Sequence, residues 1–76
     1  MHSLKSALDA LDLSSRKKRR YAVALVEALL LRIRVEEDAY MSRIPSNLQS
    51  AEAYDNADYS ISMLDEAIDV IASVYD

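Results

Sequence analysis

Five consecutive cations followed by an aromatic ring, Arg16-Lys17-Lys18-Arg19-Arg20-Tyr21, are the residues of this chain best suited to chemistry. That chemistry is the recognition of an anion. Guanidinium and ammonium groups make charge-assisted hydrogen bonds to phosphate oxygens, and a helix starting at the run adds free backbone N–H groups aimed the same way. Arg16, Lys17, Arg19 and Arg20 are the candidate phosphate-binding residues, and Tyr21 is placed to stack on a base. Within a helix the run is locally unfavourable, because the macrodipole already puts positive charge at that end. A bound anion would offset it, and so would acidic side chains brought alongside. Residues 1–43 carry all nine Lys and Arg against six acids, whereas residues 44–76 carry seven acids and no Lys or Arg. An antiparallel return of the second half would set Asp65, Glu66, Asp69 and Asp76 beside the basic run.

Other chemistry is poorly supplied. There is no cysteine, and the single histidine, His2, sits at the terminus. A zinc site therefore lacks ligands, and no nucleophile–base pair can be assembled from serines that read as caps or solvent-facing positions. The expectation is a non-enzymatic protein without a cofactor. Glu36, Glu37, Asp38, Glu52 and Asp55 bracket the only proline, Pro45. Their spacing loosely resembles the all-α nucleotide pyrophosphohydrolases, in which a Glu-Glu-x-x-Glu helix faces Glu-x-x-Asp to hold magnesium. Glu52-Ala53-Tyr54-Asp55 fits the second half, but Tyr40 stands where the third carboxylate of the first half belongs. Magnesium needs oxygens converging on one point, and the plain reading of these acids is solvated surface and helix caps.

The elements that must position these residues are helices. Glycine is absent, so tight hairpin turns that need positive φ are disfavoured. Residues 3–12 read as a short amphipathic helix with Leu4, Ala7, Leu8 and Leu11 on one face and Ser3 as N-cap. Ser14-Ser15 breaks the chain, and a long helix follows over about 15–43. From Tyr21 to Val35 only Glu27, Arg32 and Arg34 are charged. Val26, Leu29, Ile33 and Tyr40 mark one apolar stripe; Leu25, Ala28, Leu31 and Val35 mark another. Ile44-Pro45 ends this helix, and Ser46 with Gln49 reads as a capping box opening a third helix over about 47–75. There Tyr54, Ala57, Ile61, Leu64, Ile68, Ile71 and Tyr75 alternate steps of three and four, a coiled-coil-like seam. Asp55, Asp58, Ser62, Asp65, Asp69 and Asp76 trace an acidic line, and Met63, Ala67, Val70 and Val74 a flanking apolar stripe.

The expected fold is one all-α domain over residues 1–76: an antiparallel helical hairpin with a short N-terminal helix. A helix apolar nearly all round must be covered nearly all round, which one partner helix cannot do. Small chains without disulfides or metals add subunits, so the hairpins are expected to assemble into an oligomeric bundle. Leu25, Leu29 and Ile33 with Tyr54, Ile61, Leu64, Ile68, Ile71 and Tyr75 form the expected core and oligomer seam. No apolar run reaches the ~20 residues of a membrane span, and no signal layout opens the chain. The expectation is a cytoplasmic protein with no membrane partner.

Residues 35–75 resemble a group of small helical-hairpin proteins encoded by phages and prophages. The shared pattern is Glu36-Glu37 at the end of one helix, Pro45-Ser46-Asn47-Leu48-Gln49 at the turn, then Ser50, Glu52 and Tyr54, and Leu64-Asp65-Glu66-Ala67-Ile68-Asp69 late in the next helix. Members usually carry Ser before the Glu, where this chain has Ala51. The basic run lies outside the resemblance, which implies an α-hairpin of mobile-element origin and no catalytic residues. Together these readings lead to a phage or prophage accessory protein that binds as a homo-oligomer, most concretely a counter-defence factor sequestering a nucleotide-like anion. The alternatives are a module that docks on a host protein and inhibits it, and a small nucleic-acid-binding protein.

Overall fold

The computed structural model describes residues 4–48 and 51–75. It is all-α, with α1 Leu4–Asp9, α2 Arg16–Ser42, a 3₁₀ turn Ser46–Leu48 and α3 Glu52–Ala72. Only α2 and α3 pack extensively against each other, as an antiparallel hairpin. No described residue has positive φ.

Each boundary has a local cause. Helix α1 is shorter than the expected 3–12 because Asp12 organises the chain after it. Its Oδ1 accepts hydrogen bonds from the Ser14 backbone N–H at 3.0 Å and the Ser14 hydroxyl at 2.7 Å, a side-chain turn that competes with helix. The proposed Ser3 cap lies outside the described residues. Ser15 opens α2 with extended backbone, and its Oγ accepts from the Lys18 N–H, the satisfied N-cap geometry. At the other end the Arg43 N–H reaches the carbonyls of Ala39 and Tyr40, and Pro45 follows two residues on.

The turn differs from the expectation. The third helix does not start at 47. The Leu48 N–H donates to the Pro45 carbonyl at 2.8 Å and the Ala51 N–H to the Leu48 carbonyl at 3.0 Å. These two successive tight turns place Ser46 inside a 3₁₀ segment rather than at a cap. The N-cap of α3 is Ala51, with no side-chain hydrogen bond, and Glu52 and Asp55 supply negative charge to the first turn instead. Gln49, the other half of the expected capping box, lies outside the described residues. At its far end α3 stops at Ala72, short of the expected 75, where Ser73 takes a right-handed C-cap geometry.

The α3 seam faces α2. Ala57 is 2% exposed and Ile61 7%; Tyr54, Leu64, Ile68, Ile71 and Tyr75 are half-buried. The α2 side is not the expected one. Its half-buried line is Val23, Glu27, Leu30, Arg34, Glu37 and Met41, spaced four-three-four-three-four. Leu25, Leu29 and Ile33 do not join it; all three are exposed, Leu29 at 58%. A helix apolar on most sides has no phase of its own, so its partner selects the face. The selected face lets Arg34 reach Asp65 across the hairpin.

The two edges of the hairpin then differ in character. Arg34 and Asp65 lie along one edge. On the other, Tyr40 and Glu37 border an open groove with Ala53, Asn56 and Ser60. By helical period this second edge continues through Ile33, Leu29 and Val26 on α2 and through Met63, Ala67 and Val74 on α3. The molecule is a slab of 51 × 35 × 15 Å. No helix among the described residues is long and apolar enough to cross a membrane.

Candidate anion-binding groove

The basic run occupies the first turns of α2. At 100° per residue, consecutive side chains cannot share one side of a helix, and the structure divides the run accordingly. Lys17, Lys18 and Tyr21 line an open groove of about 530 Å³ between the residues after α1 and the outer side of α2. Its floor is mainly apolar, built from Ala10, Leu11, Ala22 and Leu25. Arg16 points elsewhere, its guanidinium carbon 5.1 Å from the centre of the Tyr75 ring, a cation–π distance. Arg20 lines a separate, smaller groove with Val23, Glu27 and Tyr75. Arg19 is tied down by its Nη1, which donates to the Leu13 carbonyl at 2.9 Å. Of the five residues predicted to hold an anion, the structure thus brings only Lys17 and Tyr21 together.

Two contributors to the groove were not read from the sequence. Lys18 lines it but is engaged, its Nζ paired with Asp12 Oδ2. That ion pair, with the Ser14 hydrogen bonds, lowers the Asp12 pKa to about 2. The apolar floor is the second. Leu11 and Leu25 were assigned to helix faces, and their juxtaposition depends on how the segment between α1 and α2 bends. The Asp12-Leu13-Ser14 spacing before Ser15 was the available sign of that bend, because Asp and Ser in such positions favour side-chain turns.

The acidic end of α3 does not cover the run. Asp65 is hydrogen-bonded to Arg34, and among the described residues no acid of α3 forms an ion pair with Arg16, Lys17, Lys18, Arg19 or Arg20; Asp76 lies outside them. The reason is length. Helix α2 has 27 residues and α3 has 21, so at 1.5 Å per residue α2 extends about 9 Å further. Its first turn projects beyond the last turn of α3. At the start of α2 the Arg16 guanidinium is met instead by the π face of Tyr75.

Lys17 has no ion-pair partner among the described residues. One ammonium without an ion-pair partner and one phenol beside an apolar lining suit a ligand with an anionic group and a flat or apolar body. At the opposite end of the hairpin, Glu36, Glu37, Asp38, Glu52 and Asp55 do not converge. No three His, Cys, Asp or Glu among the described residues are grouped to hold a metal ion. No protein-family model, no curated protein and no solved structure matches this chain.

Proposed function

We propose that this chain is a non-enzymatic binding protein that works as a homo-oligomer and sequesters a nucleotide-like anion in the groove beside the start of α2. The observation that carries the reading is the convergence of Lys17 and Tyr21 over the Leu11–Leu25 floor. An ammonium attracts the phosphate, the phenol hydrogen-bonds or stacks, and the apolar floor takes the base. The turn motif Pro45-Ser46-Asn47-Leu48-Gln49 supports a phage or prophage setting, in which capture of a nucleotide signal would be a counter-defence activity.

A thermal-shift series tests this with inorganic phosphate, nucleoside phosphates and cyclic dinucleotides as probes. A ligand at a hundred times its Kd stabilises by about 2.7 kcal/mol, which raises the Tm of a domain this small by more than about 10 °C. Lys17→Ala and Tyr21→Ala should abolish the shift, while Arg20→Ala, which lines the other groove, should retain it. No shift with any of these probes would remove the reading. Equal sensitivity to all five cations, with steep loss in salt, would instead mark nucleic-acid binding through the whole run.

A further inference from the structure

The slab exposes more surface than a self-sufficient chain of its mass. Its accessible surface is 6212 Å², against about 4,700 Å² expected for a folded monomer of 8.6 kDa. The Cα radius of gyration of 16.1 Å likewise exceeds the about 11.4 Å of a compact domain of this length. Stable domains place at least two layers around a core, and a body 15 Å thick holds one layer of helices. The surplus of about 1,500 Å² per chain amounts to about 3,000 Å² for two, inside the 2,000–5,000 Å² range of obligate homodimers.

Exposed apolar side chains occur on several faces, Leu4 and Leu8 of α1, Leu31 and Val35 of α2 and Val70 of α3 among them, and the faces differ in charge. All acids of α3 lie on its Asp65 side or its back. The edge carrying Val26, Leu29 and Ile33 on α2 and Met63, Ala67 and Val74 on α3 is apolar at these six exposed positions, with Glu37 bordering it at the turn end. This distribution matters because the chain carries a net charge of −4. Two copies meeting at the Asp65 edge would desolvate Asp58 and Asp69, which have no ion-pair partner among the described residues. Two copies meeting along Val26, Leu29 and Ile33 keep the acids of α3 in water.

We infer that a second copy of this chain occupies this apolar edge, through a two-fold interface that turns two hairpins into a four-helix bundle. This deepens the reading of the protein as a homo-oligomer by naming the face. The occupant is a second copy because the missing buried area matches a homodimer. Self-pairing also satisfies the isologous rule that one patch must complement itself. Side chains at Val26, Leu29 and Ile33 are spaced by three and four, the spacing that interleaves with a facing helix. Ala22 and Leu25 of the anion groove lie one turn before Val26 and Leu29 of this edge, so the groove adjoins the interface.

The chain has no cysteine, so single introduced thiols report the interface directly. Ser60→Cys places one at the apolar edge and Ser62→Cys one on the far side of α3; both serines are exposed. Alkylation of each thiol is followed across a dilution series, with molar mass by light scattering in parallel. The expected result is a mass of two chains. The thiol of Ser60→Cys should be increasingly protected as concentration rises, by tenfold or more, and that of Ser62→Cys should react at an unchanged rate. A single-chain mass with retained helix overturns the inference, as do equal rates at the two positions or protection of Ser62→Cys instead. A larger assembly with selective protection of Ser60→Cys supports it. Loss of ligand response in the thermal-shift series, with protection intact, would overturn the anion reading alone.

Discussion

Arg34 grips Asp65 across the hairpin with two hydrogen bonds, Nε to Oδ1 at 2.5 Å and Nη2 to Oδ2 at 3.3 Å. The side-on fork holds the carboxyl of Asp65 below its ordinary pKa and raises that of Arg34. It is the one ion pair between the two long helices among the described residues. A two-pronged pair can fix axial register as well as attraction, because sliding either helix by one residue breaks both prongs.

Arg34→Met should therefore lower the thermal midpoint modestly in low salt, with the difference narrowing in molar salt, because the pair is partly exposed and screened. The exchange Arg34→Asp with Asp65→Arg should recover more of the midpoint than either single change. Equal loss in low and high salt would show that the stem of Arg34 matters more than its charge.

Acid should act in a defined window. Asp12 and Asp65 both have folded pKa values below their ordinary value near 3.8. A carboxylate depressed on folding contributes stability that is fully present above its unfolded pKa and is lost as pH falls through the folded one. The contribution of Asp12 is complete above about pH 4 and disappears as pH falls towards 2. Asp12→Asn should flatten this part of the profile while leaving Ser14 an acceptor, as read from thermal midpoints between pH 5 and pH 2.

Ser15→Ala removes the acceptor for the Lys18 N–H and should destabilise by about 1 kcal/mol, or about 4–8 °C in Tm. The same change frees the start of α2 beside the groove. Amide exchange at Lys17 and Lys18 should accelerate more than at Leu30.

Ile61→Ala opens the seam beside Ala57, these being the two buried residues among the described ones. Core truncations of this kind cost about 2–5 kcal/mol, a large share of what a domain this small has. Urea denaturation of the variant should show a much lower midpoint, whereas Val35→Ala, at a position 62% exposed, should be close to neutral.

The α3 half of the hairpin was legible because its apolar residues repeat at three and four with acids between them, leaving one face to bury. All seven seam residues from Tyr54 to Tyr75 are the buried and half-buried ones. The bounds of α2 were legible for the same kind of reason: Ser15 caps one end and Pro45 blocks the other. The face of α2 was not. From Tyr21 to Val35 nearly every side is apolar, and local pattern cannot rank equal faces. The choice of Val23, Leu30 and Met41, with Glu27, Arg34 and Glu37 among them, was made by the helix it met.

The candidate site divides in the same way. Sequence alone determined that five cations would open a helix, since a cap and a periodic pattern are properties of neighbouring residues. It did not determine their company. The overhang of α2 past α3 keeps the acids of α3 from the run, and the bend at Asp12 puts Leu11 on the same groove as Leu25. Both depend on relative length and on the path of the chain in space. Charge order along a chain is local information; which charges end up within reach of one another is decided only when rods of unequal length are laid side by side.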